Sequence, residues 1–178
     1  MSQLNVDTLG GQTGTTISIA SGHTLSGVAS TNGITNLQQF RLNANLTSNA
    51  QYITANWEAP DSDYESIGSI VSESSGVFTF PSTGFWKIDW NFETVQNNDE
   101  YLRIKMMFGG SSGNNSTVNE DVSGANATGY ASVSSSAIIK CTDVADKFTF
   151  YNSTSNGSID GDSGSNRSGF TCIKINDV

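Results

Sequence analysis

Phe85-Trp86-Lys87-Ile88-Asp89-Trp90-Asn91-Phe92-Glu93-Thr94 is the stretch that decides the fold class. Trp86, Ile88, Trp90 and Phe92 fall on one side of an extended chain, and Lys87, Asp89 and Asn91 on the other. Successive side chains of a strand point to opposite faces, so this period of two belongs to a half-buried β-strand. Burial at about 25 cal/mol per Å2 makes such a stripe worth several kcal/mol, reason enough for it to exist as packing and not as a cofactor box.

Outward from this strand the same grammar repeats. Short alternating runs separated by Gly, Asn, Asp and Ser clusters predict strands near 37–45, 51–57, 67–71, 76–80, 85–94, 100–108, 129–141, 147–152 and 169–175. Two of these strands carry apolar groups on both faces. Ile173 and Ile175 oppose Phe170 and Cys172, while Leu102, Ile104, Met106 and Phe108 oppose Tyr101 and Met107. A lone sandwich keeps its outer faces polar, so two-sided strands predict that part of one sheet is covered by a neighbouring subunit. The stretches 109–128 and 153–168, rich in Gly, Ser, Asn and Asp, read as long exposed loops, where binding tends to be placed.

Composition agrees with an all-β chain. The 178 residues are 35% hydrophobic and only 14% charged, with few of the Leu-rich or Lys/Glu-rich runs that build amphipathic helices. A net charge of −9 opposes nucleic acid and anionic membranes, and no apolar run approaches the roughly 20 residues that span a bilayer. The chain is read as soluble. Cys141 and Cys172 are too few for a disulfide framework, and the N-terminus lacks a signal-peptide pattern, so synthesis in a reducing cytosol with free, buried thiols is expected. The Asn-x-Ser/Thr triplets at Asn45, Asn114, Asn115, Asn126, Asn152, Asn156 and Asn166 follow from composition and are not read as glycosylation sites.

Residues 1–34 are nearly free of aromatics and carry turn signals at Gly10-Gly11, Ser21-Gly22 and Asn32-Gly33. Such a segment cannot bury a core of its own, so it is read as an extended docking and trimerising piece ahead of a head formed by 35–178.

The run Gly76-Val-Phe78-Thr79-Phe-Pro81-Ser-Thr-Gly84-Phe-Trp86-Lys-Ile88 resembles the complement-1q-type head of the tumour-necrosis-factor-like jelly-roll superfamily. Ser136-Ala-Ile-Ile-Lys-Cys-Thr-Asp143-Val-Ala145-Asp146-Lys-Phe148 and Ser168-Gly169-Phe170 are similar to two further blocks of that family, in its order. Ala145 stands where the family usually has Gly, and Trp86 where Tyr is common. The resemblance implies a jelly-roll β-sandwich of about ten strands, assembled as a homotrimer and used for binding or scaffolding. Leu4-Asn-Val6-Asp7-Thr8 with Gly14-Thr-Thr-Ile17-Ser-Ile19-Ala-Ser-Gly22-His23-Thr-Leu25-Ser-Gly27 resembles the opening of tailed-phage structural proteins, cyanophage ones especially.

Together these resemblances imply a virion protein made in the host cytoplasm. The leading expectation is a short fibre that docks through 1–34 on a tail, collar or major capsid protein and exposes its head to a host glycan or protein. The alternative is a capsid decoration protein. A polysaccharide hydrolase ranks below both.

Catalytic, cofactor and metal sites are all read as absent. The single histidine, His23, lies outside the head, away from any nucleophile. Asp61, Asp63 and Glu65, or Asp99 and Glu100, offer carboxylates for glycan hydrolysis but lack apolar neighbours that would raise a pKa. Asp160-Gly-Asp162-Ser-Gly-Ser-Asn166 alternates oxygen ligands as calcium loops do, yet lacks the closing bidentate Glu and reads as a solvated turn. Tyr130 and Tyr151 are the aromatic faces expected to stack on a ligand beside the polar loops.

Overall fold

The computed structural model describes residues 34–47, 51–61, 64–94, 101–124, 129–153 and 158–178. The expected docking segment, apart from Ile34, lies outside the described residues, as do His23, Asp63, Asp99 and Glu100.

Thirteen strands and no helix make up the described part: β1 (Leu37–Leu42), β2 (Ala44–Thr47), β3 (Gln51–Tyr52), β4 (Trp57–Glu58), β5 (Ser72–Ser74), β6 (Val77–Thr79), β7 (Gly84–Glu93), β8 (Tyr101–Phe108), β9 (Ser116–Gly124), β10 (Ser132–Cys141), β11 (Lys147–Asn152), β12 (Ser158–Asp162) and β13 (Gly169–Asn176). One sheet runs β10-β7-β13-β1-β4 and the other β5-β6-β11-β8-β9, with β3 also paired to β11 and β12-β2 as a separate ribbon. Every pairing is antiparallel. Apart from the directly paired β5–β6 and β8–β9, sequential strands fall in different sheets, as in a jelly roll, where two Greek keys are wrapped into a sandwich.

The expected strand 85–94 is β7, and its predicted face is core: Trp86, Ile88, Trp90 and Phe92 are buried. From the facing sheet come Leu102, Ile104, Met106, Phe148 and Phe150. Phe78 sits among Phe40, Trp57, Phe148 and Phe170, at ring-centroid distances of 4.7 to 5.2 Å. Edge-to-face and offset pairs at this spacing add to the area term of burial, and they lock the two sheets in one register.

Two expected loops contain strands. Within 109–128, residues 116–124 form β9, paired along its length with β8. Within 153–168, residues 158–162 form β12, paired with β2. Neither is visible as alternation, because β9 has no residue fully buried and β12 is a short polar run around Ile159. Backbone pairing holds them where side-chain burial does not.

Candidate functional site

β8, β11 and β3 turn one side of the second sheet outward. Cross-strand register aligns Glu120, Lys105, Tyr151 and Tyr52 in a single row across β9, β8, β11 and β3. Tyr52 and Tyr151 meet edge to face, with centroids 5.1 Å apart. Lys105 Nζ lies 3.3 Å from Glu120 Oε2, and Arg103 Nε lies 3.2 Å from Glu120 Oε1, so one carboxylate serves two cations. Met107 follows Lys105 on the same face, opposite Thr117. Tyr52, Tyr151, Lys105, Met107, Thr117 and Ser153 enclose an open cleft of about 310 Å3.

Tyr52 also borders a second, smaller cleft of about 150 Å3, where hydroxyl and amide groups of Thr54, Ser75, Ser112, Asn114 and Thr149 replace the cation and thioether. Ser112 and Asn114 come from the loop between β8 and β9, which is pinned. Asp146 Oδ1 accepts the Gly110 N–H at 2.7 Å, and Gly109 donates to the Lys147 carbonyl at 2.9 Å. Gly113 has φ of 67°, and a Cβ there would come within 2.8 Å of the Phe148 backbone, so only glycine lets this loop lie down on β11.

The first sheet presents a different outer surface. Its register lines up Ile138, Lys87, Ile173, Leu37 and Ile67 across β10, β7, β13 and β1. Ile138 is 63% exposed and Ile67 44%. Ile175 and Ile70 are exposed as well. The two-sided character read for 169–175 is therefore real, with Phe170 and Cys172 in the core and Ile173 and Ile175 outside it.

The remaining candidates are accounted for locally. Arg41 Nε binds Glu58 at 2.9 Å and its Nη2 binds Asp61 at 3.1 Å, while Glu65 is exposed. Arg167 holds Asp160 at 2.6 Å and lies 3.4 Å from Asp162, so an arginine occupies the charge that a cation would neutralise. The Gly164 N–H, 2.6 Å away, and then Arg167 keep the Asp162 carboxyl below its ordinary range. Asn166 is exposed. Among the described residues, no three His, Cys, Asp or Glu side chains form a group that could hold a metal ion. Cys141 and Cys172 are free and buried.

Of the two tyrosines read from sequence, Tyr151 lines the cleft and Tyr130 is exposed outside both clefts. Tyr52, Lys105 and Met107 were not singled out as binding residues. The outward placement of Met107 on its strand was the available signal, and Tyr52 joins it only through pairing with β11.

No protein-family model and no curated protein matches the chain. Solved structures do. Murine APRIL at pH 8.5 superposes with a TM-score of 0.61 at 11% identity, over 79% of this chain and 98% of that one. Eiger TNF from S. frugiperda superposes with a TM-score of 0.62 at 11% identity, over 80% of this chain and 93% of that one. The described residues from 34 onward have a jelly-roll fold like that of these tumour-necrosis-factor-type structures. The likeness is one of fold, and the departures noted in the sequence sit comfortably in the jelly roll: Ala145 forms part of a turn whose N–H donates to Asp143 Oδ1 at 2.8 Å, and Trp86 donates from Nε1 to the Ser82 carbonyl at 3.2 Å.

Proposed function

We propose that this chain is a trimeric structural protein of a tailed-phage virion, a short fibre whose residues 1–34 dock on the particle and whose jelly-roll head faces the host surface. The observation that carries this reading is the apolar row Ile138, Ile173, Leu37 and Ile67 on the outside of the first sheet. Ile138 and Ile67 are exposed, Ile173 and Leu37 half-buried, with Lys87 between Ile138 and Ile173. Aliphatic groups gathered on an outer face mark association sites, and a second copy of the same sheet is the simplest cover for them. Three-fold assembly is what the resembled family implies. The phage-like opening at residues 4–27 supports the virion setting. Covering the first sheet leaves the groove around Tyr52 and Tyr151 open to a host ligand.

Two measurements test the reading. Light scattering on the purified full chain is expected to report the mass of three chains, and a monomer at micromolar concentration rejects the assembly. Electron microscopy of the particle is expected to place the head at the tail or collar. Density at three-fold positions of the shell instead favours a decoration protein, and no density anywhere rejects the virion assignment.

A further inference from the structure

We propose that the paired clefts flanking Tyr52 form one groove for a neutral oligosaccharide. The inference deepens the host-binding reading by naming the ligand class and its site. Four features of the groove carry it, and each removes a competing ligand.

Both clefts share Tyr52, so together they form a track longer than a single ring needs, and their volumes of about 310 and 150 Å3 suit a chain of linked small units. Charge removes the ions. Among the described residues Lys105 is the only cation on the lining, and it is held at 3.3 Å by Glu120, which also binds Arg103. With a net charge of −9 on the whole chain, an anionic ligand has little to gain here. Among the described residues no Asp or Glu lines either cleft, so the lining offers a cationic ligand no carboxylate and glycosidic hydrolysis no carboxylate pair. Backbone pairing disfavours an added β-strand as the occupant, because the groove floor is formed by Lys105, Met107 and Tyr151 on β8 and β11, strands already paired on both sides.

What remains is a ligand that is uncharged, ring-shaped, apolar on its faces and rich in hydroxyls at its edges. The edge-to-face tyrosines offer ring surfaces in two orientations for C–H stacking. Thr54, Ser75, Ser112, Asn114 and Thr117 offer donors and acceptors of the kind that hydroxyl groups exchange with water. The groove is built on paired strands and a loop fixed by Gly113 and Asp146, so little ordering is required on binding.

The test is calorimetric titration of the full chain with hexamers of α-1,4-glucose, β-1,4-glucose, β-1,3-glucose and N-acetylglucosamine, with a uronic-acid hexamer as the anionic comparison. Saturable binding to at least one neutral hexamer is expected. Tyr151→Ala and Tyr52→Ala are expected to weaken it about tenfold or more, the worth of one stacking contact, while Tyr151→Phe keeps affinity within about threefold. Each variant is compared at unchanged solution mass and melting temperature, so loss of binding is not loss of fold. Preference for the uronic-acid hexamer, binding indifferent to Tyr151→Ala, or no binding to any neutral hexamer overturns the proposal. Particle adsorption separates this failure from that of the attachment reading. Virions lacking the protein that still adsorb normally sink attachment, whereas adsorption that needs the head but ignores Tyr151→Ala sinks only the groove.

Discussion

Trp86 and Trp90 are buried on the same face of β7, yet their indole N–H groups fare differently. Trp86 donates to the Ser82 carbonyl and lies beneath the Lys174 ammonium, 5.8 Å from the ring, whereas Trp90 Nε1 has no hydrogen-bond partner among the described residues. Replacing either by Ala removes a large aromatic from a close-packed core and is expected to cost about 3–5 kcal/mol. Replacement by Phe separates them: Trp86→Phe loses a hydrogen bond and strands a carbonyl, so it is expected to cost about 1 kcal/mol more than Trp90→Phe. Urea unfolding of the four variants measures this, and equal midpoints for the two Phe variants would show that the Ser82 bond contributes nothing. The buried thiols set the alkaline limit. Burial pushes the Cys172 thiol far up, and burial followed by the nearby Asp146 carboxylate pushes Cys141 up. A folded-state pKa raised above the unfolded value near 8.5 contributes stability that is complete below that pH and is lost as pH rises through it. Stability is therefore expected to fall above about pH 9, and Cys172→Ala, which has no thiol to ionise, should flatten that fall when unfolding midpoints are compared at pH 8 and pH 10.

The element with the greatest exposure to mispairing is β10, which ends the first sheet in the order β10-β7-β13-β1-β4. Its free edge faces β9 of the other sheet, and side chains stitch the seam. Asn119 Nδ2 donates to Ser135 Oγ at 2.8 Å and to the Ser136 carbonyl at 2.6 Å, and Asp121 Oδ2 accepts the Ser134 N–H at 3.1 Å. Unpaired edges template aggregation, so these two polar side chains act as a cover. The double variant Asn119→Ala/Asp121→Ala is expected to lose about 1–3 kcal/mol and to aggregate at temperatures where the parent stays soluble. Scattering during a thermal ramp checks it, and an unchanged onset would mean that the edge is guarded elsewhere. This seam also explains which elements were legible. Strand β7 announced itself because its core face holds two Trp, one Ile and one Phe against a polar outer face. Strand β9 did not, since its role is to carry Asn119 and Asp121 to the seam and Glu120 to Lys105, and polar residues on both faces look like a loop. Tyr151 was legible as an aromatic beside polar stretches, but the groove was not. Its partner Tyr52 lies ninety-nine positions earlier in the chain and meets it only through β3–β11 pairing.

For the molecule as a whole, the two sheets share one core but differ in what they show to the outside. The first carries Ile138, Ile173 and Leu37 in one row, interrupted by Lys87, which is drawn aside to Asp89 at 2.8 Å. The second carries tyrosines and paired charges around a groove. A face whose aliphatic residues are exposed in the single chain gains by self-association, at about 25 cal/mol per Å2 covered, and the groove face gains nothing comparable because its charges would be desolvated. Ile138 is the residue on which this division is best tested, being 63% exposed at the β10 end of the row and outside the core. Ile138→Asp places a carboxylate where copies are expected to meet, while Val122→Asp makes the same change at a valine that is 46% exposed on the other sheet. Ile138→Asp is expected to reduce the mass in solution from three chains to one and to keep the far-ultraviolet β signal. Its melting temperature should also stop depending on protein concentration, as follows when folding and assembly are uncoupled. Val122→Asp should leave mass and concentration dependence at their parental values. If Ile138→Asp stays assembled while Val122→Asp dissociates, the groove-bearing sheet is the interface, and host attachment through that groove falls with it.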